Sequence, residues 1–303
     1  IGTPRLAYAV AAAGGLGMVG ASDFAAAALV EAFSSRMTRP GPERQVGAGF
    51  LIPFVDRGSV EAVAPLVRVV EFFYGDPDPE LVRLGSSGGA LVSWQVGSAE
   101  EARAAADAGC DFVIAQGVEA GGHVRGQLGV LTLLDEVLAA VDMPVLAAGG
   151  VATGRGMAAA LGAGADGVRV GTRFLLAQES AAHTDYRAAI MAAHARDTVL
   201  TDAFQVYWPD APHRVLRSSL DAASSRGGDL SGASFPNGAP IPLFAPTPPS
   251  DSINGPIGAL AHYAGESVSA ATEILPAADI VHQIADGCEA LLRTRIRELG
   301  IET

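Results

Sequence analysis

Val145-Leu146-Ala147-Ala148-Gly149-Gly150 and, one unit later, Val168-Arg169-Val170-Gly171-Thr172 are short apolar strands that each run into glycine. In both, glycine lets a backbone N–H approach an anion closely, and a following helix adds a favourable dipole. The same rhythm extends backwards. Apolar runs at 16–19, 46–52, 69–74, 90–96, 111–116, 144–148 and 167–170 read as strands. Between them, helices are expected over 5–13, 23–34, 60–66, 79–84, 131–141 and 153–161, with one more beginning over 172–178. Ser98 and Glu101 form a capping box for a further helix that Gly109 closes. Apolar strands alternating with helices predict a parallel sheet covered on both faces.

Seven strands are counted, and a closed barrel needs eight. The expected fold is therefore an α/β (β/α)8 TIM barrel whose first strand is missing from this chain, with an open doubly wound sheet as the alternative. Counted that way, Gly149-Gly150 and Gly171-Thr172 follow strands seven and eight, the usual phosphate site of such barrels. We expect a barrel over 1–200, a lid or small substrate domain over 201–262, and a helical segment over 263–303 that packs back on the barrel. The middle part is rich in Pro, Gly and Ser, including Ala245-Pro246-Thr247-Pro248-Pro249.

The net charge of -13 speaks against a nucleic-acid partner. The two cysteines, Cys110 and Cys288, imply no disulfide framework, and Cys110 reads as a small buried hydrophobe. A cytoplasmic protein is expected, because neither a signal peptide nor an apolar run of membrane-spanning length is visible. All twenty basic residues are arginine. With no lysine, Schiff-base chemistry is excluded. No metal site is expected, since no histidine pair has ligand spacing.

Gln116-Gly117-Val118-Glu119-Ala120-Gly121-Gly122-His123 leaves the end of a strand, where barrel active sites lie, and places a histidine among flexible glycines. His123 is the candidate acid, base or hydrogen-bond donor. His213 is a weaker candidate that reaches the site from the lid. His183 and His194 are expected on a helix far from the strand ends, and His262 and His282 as packing or surface residues.

These stretches, with Ala12-Ala13-Gly14-Gly15-Leu16-Gly17, Gly149-Gly150-Val151 and Gly171-Thr172-Arg173-Phe174, resemble the nitronate monooxygenase (2-nitropropane dioxygenase) family. The resemblance spans most of 1–195 and, more weakly, 263–292. It implies an FMN enzyme that oxidises alkyl nitronates with dioxygen to a carbonyl compound and nitrite. By that likeness Gly149, Gly150, Gly171 and Thr172 hold the FMN phosphate and Gln116 and Gly122 lie near the flavin. Gly265, in Ala264-Gly265-Glu266-Ser267, lies in a segment that returns towards the flavin, and His123 sits over its ring. Three departures stand out. The family's Ala-Pro-Met opening is absent before Ile1, Gly49 stands where many members carry asparagine, and Phe204–Arg217 with the proline-rich stretch after it is unlike the best-known members. The rivals are an FMN- and NAD(P)H-dependent enoyl-acyl-carrier-protein reductase, which tends to have glutamate at the Gln116 position, and a non-catalytic flavin- or phosphate-binding protein. A homo-oligomer is compatible with this reading.

Overall fold

The computed structural model describes residues 1–37 and 45–300. Its central sheet contains β1 (Gly17–Gly20), β2 (Val46–Leu51), β3 (Val69–Phe73), β4 (Leu91–Val96), β5 (Phe112–Gln116), β7 (Val145–Ala148) and β8 (Gly167–Arg169), all parallel and in that order. The short β6 (Gly122–His123) is diverted to a second sheet, of order β6-β10-β9, with β9 (Thr198–Thr201) and β10 (His213–Leu216). A hairpin of β11 (Leu230–Ser234) and β12 (Pro240–Pro242) completes the strands among the described residues.

One face of the seven strands is apolar and fully covered. Val46, Ala48, Phe50, Val70, Phe72, Val92, Trp94, Val113, Ala115, Val145 and Ala147 are buried there. The covering helices are α1 (Pro4–Ala12), α2 (Ala26–Met37), α3 (Arg57–Val63), α4 (Pro79–Ser86), α5 (Ala99–Asp107), α6 (Val130–Leu138) and α7 (Gly154–Gly162). Alternate residues put Glu71, Ser93, Gln95, Gln116 and Arg169 on the other face. Arg169 on β8 hydrogen-bonds Glu71 on β3 and, at 3.0 Å, Gln95 on β4. In a flat sheet β8 and β3 would lie about 19 Å apart, four strand spacings, which no arginine spans. The sheet is therefore curled, with a polar concave face. It is a half-barrel, in keeping with the expected barrel class.

Several local expectations hold with small changes. Ser98 caps α5 by accepting from the Glu101 N–H at 3.2 Å, but the Glu101 carboxylate accepts from Gly97 rather than from Ser98. The expected helix over 172–178 is only a 3-10 turn, Thr172–Leu176. The chain is pulled out of helix there because Ala177 bridges Leu275, and Gln178 donates to the Leu275 carbonyl at 2.9 Å. The next helix is α8 (Thr184–Ala192). His183 caps α8 and His194 caps a 3-10 turn, so neither lies within a helix as expected. After α9 (Arg217–Ser224), the long α10 (Ala277–Glu298) packs on α7 so closely that a Cβ on Gly154 would stand 2.4 Å from the Cys288 backbone nitrogen. The last residues of the expected C-terminal segment, 301–303, lie outside the described residues. Among the described residues no helix is long and apolar enough to cross a membrane.

Candidate active site

Four stretches of chain meet at one end of the sheet. The loop after β5 begins at Gln116, whose side-chain N–H donates to the His123 carbonyl at 3.1 Å. Arg214, 8% exposed, donates to the Val118 carbonyl at 3.1 and 2.9 Å and pairs with Glu266 at 3.3 Å. This ties the loop to the segment around Gly265. The Glu119 carboxylate accepts from the Val130 N–H at 3.0 Å, and the Glu119 carbonyl accepts from Glu266 at 2.9 Å. Gly265 donates to Thr172 Oγ1 at 3.0 Å, joining the loop after β8. A Cβ on Gly149 would stand 2.9 Å from the Gly117 carbonyl, so the loop after β7 packs on the same place.

The glycines here differ in why they are glycine. Gly122, Gly149 and Gly150 have φ of 81°, 94° and 69°, which favours glycine on its own. Gly265 has no room, since a Cβ would stand 2.7 Å from the Glu119 carbonyl. Gly171 has neither constraint. Its φ is -113° and a Cβ there would meet nothing within 4 Å. The protein's own backbone does not demand glycine at 171, and the open space beside it suits an occupant such as a phosphate. Among the described residues no cluster of histidine, cysteine or carboxylate could hold a metal ion.

His123 lies at the centre of a group of rings. Trp208 stacks on it at 3.7 Å between centroids and 19° between planes, and Tyr74 meets it edge-on at 5.7 Å. His213 lies 5.1 Å away and Tyr263 5.5 Å. His213 is therefore brought in from the segment after β9, through the pairing His213↔His123 of β10 with β6. Tyr74 is held in place through its loop. Arg125, two residues past His123, donates to Asp76 at 2.9 Å and to Glu101 at 2.7 Å. Among the described residues, three buried side-chain atoms lack a hydrogen-bond partner: His123 Nε2, Gln116 Oε1 and Ser93 Oγ. A buried group without a partner is costly unless a ligand supplies one. The Gln116 and His123 atoms belong to the loop just described, and Ser93 to the concave face below.

Burial and, second, the nearby His213 push the His123 imidazole down to about 3. Burial also lowers His213 and His262, and it raises the Tyr74 phenol to about 12. Folding keeps each of these histidines neutral to lower pH than in the unfolded chain, which takes up protons near the ordinary value of 6.5. The unfolded state thus binds more protons as pH falls from about 6.5 towards 3, and stability falls with it. Differential scanning calorimetry from about pH 7 to about pH 4 should show a declining Tm, with a shallower decline in His123→Gln. Parallel pH profiles for the two proteins would contradict the buried neutral imidazole.

Sequence reading named His123, Gln116, Gly122, Gly149, Gly150, Gly171, Thr172 and Gly265, and the structure gathers them at this one end. It did not single out Tyr74, Trp208, Tyr263, Arg214 or Arg169 as site residues. Trp208 sits in a loop between β9 and β10, far from His123 in sequence, with no local pattern to mark it.

The family model described as nitronate monooxygenase matches residues 49–286. A (3aS,4S,5R,7aS)-5-hydroxy-7a-methyl-1-oxo-octahydro-1H-indene-4-carboxyl-CoA dehydrogenase of Rhodococcus jostii is 36% identical over 231 residues, which is 76% of this chain and 63% of that protein. The chain thus spans less than two thirds of that relative's length. The structure of FabK from Thermotoga maritima superposes with a TM-score of 0.75 at 29% identity, covering 98% of this chain and 92% of that one. A nitroalkane oxidase from Streptomyces ansochromogenes gives a TM-score of 0.72 at 30% identity, covering 98% and 94%.

Proposed function

The chain belongs to the nitronate monooxygenase family, and from that premise we propose that it is a flavin-dependent oxidoreductase that binds FMN and oxidises alkyl nitronates with dioxygen. The observation that carries this reading is the buried, unpartnered Nε2 of a neutral His123 beside glycine loops with open space at Gly171. On this reading Gly149, Gly150, Gly171 and Thr172 hold the phosphate, and Gln116, Gly122 and Gly265 border the flavin. The flavin, when bound, would supply the electron transfer between substrate and oxygen. The protein's part is to bind and orient. His123 Nε2 offers one hydrogen bond to an oxygen of the nitronate, without bringing a second charge into the site. The neighbouring rings keep water away from it. The segment 201–262 acts as the lid that carries Trp208 and His213.

A second reading, oxidation or reduction of a coenzyme A thioester, is favoured by the Rhodococcus relative, whose name is that of a carboxyl-CoA dehydrogenase. One experiment separates the two. The purified protein, loaded with FMN, is mixed anaerobically with an alkyl nitronate and separately with NADH while visible absorbance is followed. Bleaching by nitronate and not by NADH is expected. Bleaching by NADH followed by reoxidation with an enoyl thioester would support the second reading. Failure to take up FMN at all would remove both.

A further inference from the structure

His213 stands beside His123, yet both of its ring nitrogens are committed to its own loop. The Phe204 N–H donates to His213 Nε2 at 3.2 Å, and His213 Nδ1 lies 2.8 Å from the Ala211 carbonyl. A backbone N–H can only donate and a carbonyl can only accept. The ring is therefore the neutral tautomer with its proton on Nδ1. Neither nitrogen can take or give a proton without breaking one of these bonds, and the residue is fully buried. Burial holds it below the ordinary histidine value, against the smaller pull of the Ala211 carbonyl and of Asp202. The other titratable groups that face it are His123 at 5.1 Å and Tyr263 at 5.8 Å. The same two bonds close a loop with Phe204 and Ala211 at its ends and Trp208 within it. From 205 to 211, among the described residues, the one backbone N–H that donates beyond residues 203–213 is that of Val206, to the Phe244 carbonyl at 3.1 Å. Tyr207 and Asp210 hold left-handed φ of 72° and 55°, an arrangement that persists where the surroundings impose it.

We infer that His213 is a positioning residue: its imidazole pins the 204–211 loop shut and so keeps Trp208 lying on His123, and it moves no proton in the reaction. The bond to Ala211 spans two residues and is local. The bond from Phe204 spans nine, so Nε2 is the atom that closes the loop. With that acceptor gone, the buried Phe204 N–H has no partner, and opening to water becomes the cheaper state. The indole then leaves His123, whose ring loses the burial that keeps it neutral. The inference rests on the proposed catalytic reading only in taking His123 as the group that meets substrate. The pin itself needs no flavin.

Three variants of the full chain test it. His213→Gln keeps a carbonyl oxygen near the place of Nε2, His213→Asn keeps an N–H near the place of Nδ1, and His213→Leu keeps neither. The first measurement is NMR titration of the His123 ring in the flavin-free proteins. In the natural protein and in His213→Gln the ring should stay neutral as pH falls to about 5, whereas in His213→Asn and His213→Leu it should titrate above that value. All three variants lack the second imidazole, so its direct effect on His123 cannot separate glutamine from asparagine. The second measurement is steady-state turnover of an alkyl nitronate by the FMN-loaded proteins. His213→Asn and His213→Leu should raise KM about tenfold with kcat within about twofold, because substrate must now close the loop, and His213→Gln should recover most of the loss. A purely structural role would leave both readouts of a folded variant unmoved, and that result would overturn the pin. So would glutamine behaving like leucine, or a fall in kcat at unchanged KM, which marks proton transfer. Glutamine and asparagine decide the matter if the leucine variant does not fold. The expected NMR pattern without nitronate turnover by any protein sinks the nitronate reading alone. Turnover with no difference among the variants sinks the pin alone.

Discussion

His123→Ala should lower turnover of an alkyl nitronate by about a hundredfold to a thousandfold while leaving bound flavin in place. The reason lies in what His123 does and does not hold. Its backbone carries the β6–β10 pairing and accepts from the Gln116 side chain, and both survive truncation of the ring. The imidazole makes ring contacts with Trp208, Tyr74, His213 and Tyr263, while its Nε2 is unused within the protein. Truncation removes one hydrogen bond to substrate and some packing, and the glycine loops after β7 and β8 stay as they are. Steady-state kinetics with parallel absorbance spectra check this. kcat and kcat/KM should fall together if the hydrogen bond strengthens during reaction, whereas KM should rise with kcat unchanged if it serves only to bind. Full turnover by the flavin-loaded variant would remove His123 from the mechanism. His123→Asn, which keeps a hydrogen-bonding side chain, should recover part of the loss, which a purely packing role would not give.

The positions most legible in the sequence were those fixed by local physics. The strands at 46–52, 69–74 and 90–96 were found within a residue or two, because a strand covered on its helix-facing side shows an apolar signature such as Val69-Val70-Glu71-Phe72-Phe73. Glycine closures were equally plain. Gly109 ends α5 with φ of 92°, as its place after a helix predicts. The same local reading failed where distant chain competes. Residues 172–178 have helical character, but the bridge from Ala177 to Leu275 draws them out after one 3-10 turn. The polar concave face was half legible. Glu71, Ser93 and Gln95 stand at alternating positions, yet their meeting with Arg169 depends on how far the sheet curls, which no single strand encodes. Gly49 gains meaning there too. A Cβ at 49 would stand 3.8 Å from the Glu71 carboxylate, so the neighbouring strand supplies a polar group where Gly49 has none. Trp208 was the least legible. Its role depends on a loop of 205–212 folding over a histidine some eighty-five residues earlier, set by contacts distant in sequence such as the His213↔His123 strand pairing and the bond from the Val124 N–H to the Pro212 carbonyl.

Gly171→Ala should cost FMN affinity about a hundredfold or more while leaving the flavin-free protein as stable as before, and this separates a ligand site from a tight turn. At Gly149 the two explanations are entangled. With φ of 94° and a Cβ 2.9 Å from the Gly117 carbonyl, alanine there strains the backbone and pushes on a loop whose Gly117 N–H is already bonded to the Ala148 carbonyl at 2.9 Å. A loss of flavin in Gly149→Ala could follow from misfolding alone. Gly171 has no such ambiguity, since its φ of -113° suits any residue and a Cβ there touches nothing within 4 Å. A methyl group can therefore be harmful at 171 only by occupying space that a ligand needs. A phosphate held by backbone N–H groups approaches to about 2.9 Å, closer than a methyl on the same residue permits. Thermal melts of the flavin-free proteins should then coincide for natural and Gly171→Ala chains, and fluorescence titration with FMN should part them. Gly149→Ala should fall behind in both measurements. If Gly171→Ala binds FMN as well as the natural protein does, the phosphate lies elsewhere, and the open space beside the loop after β8 serves another purpose.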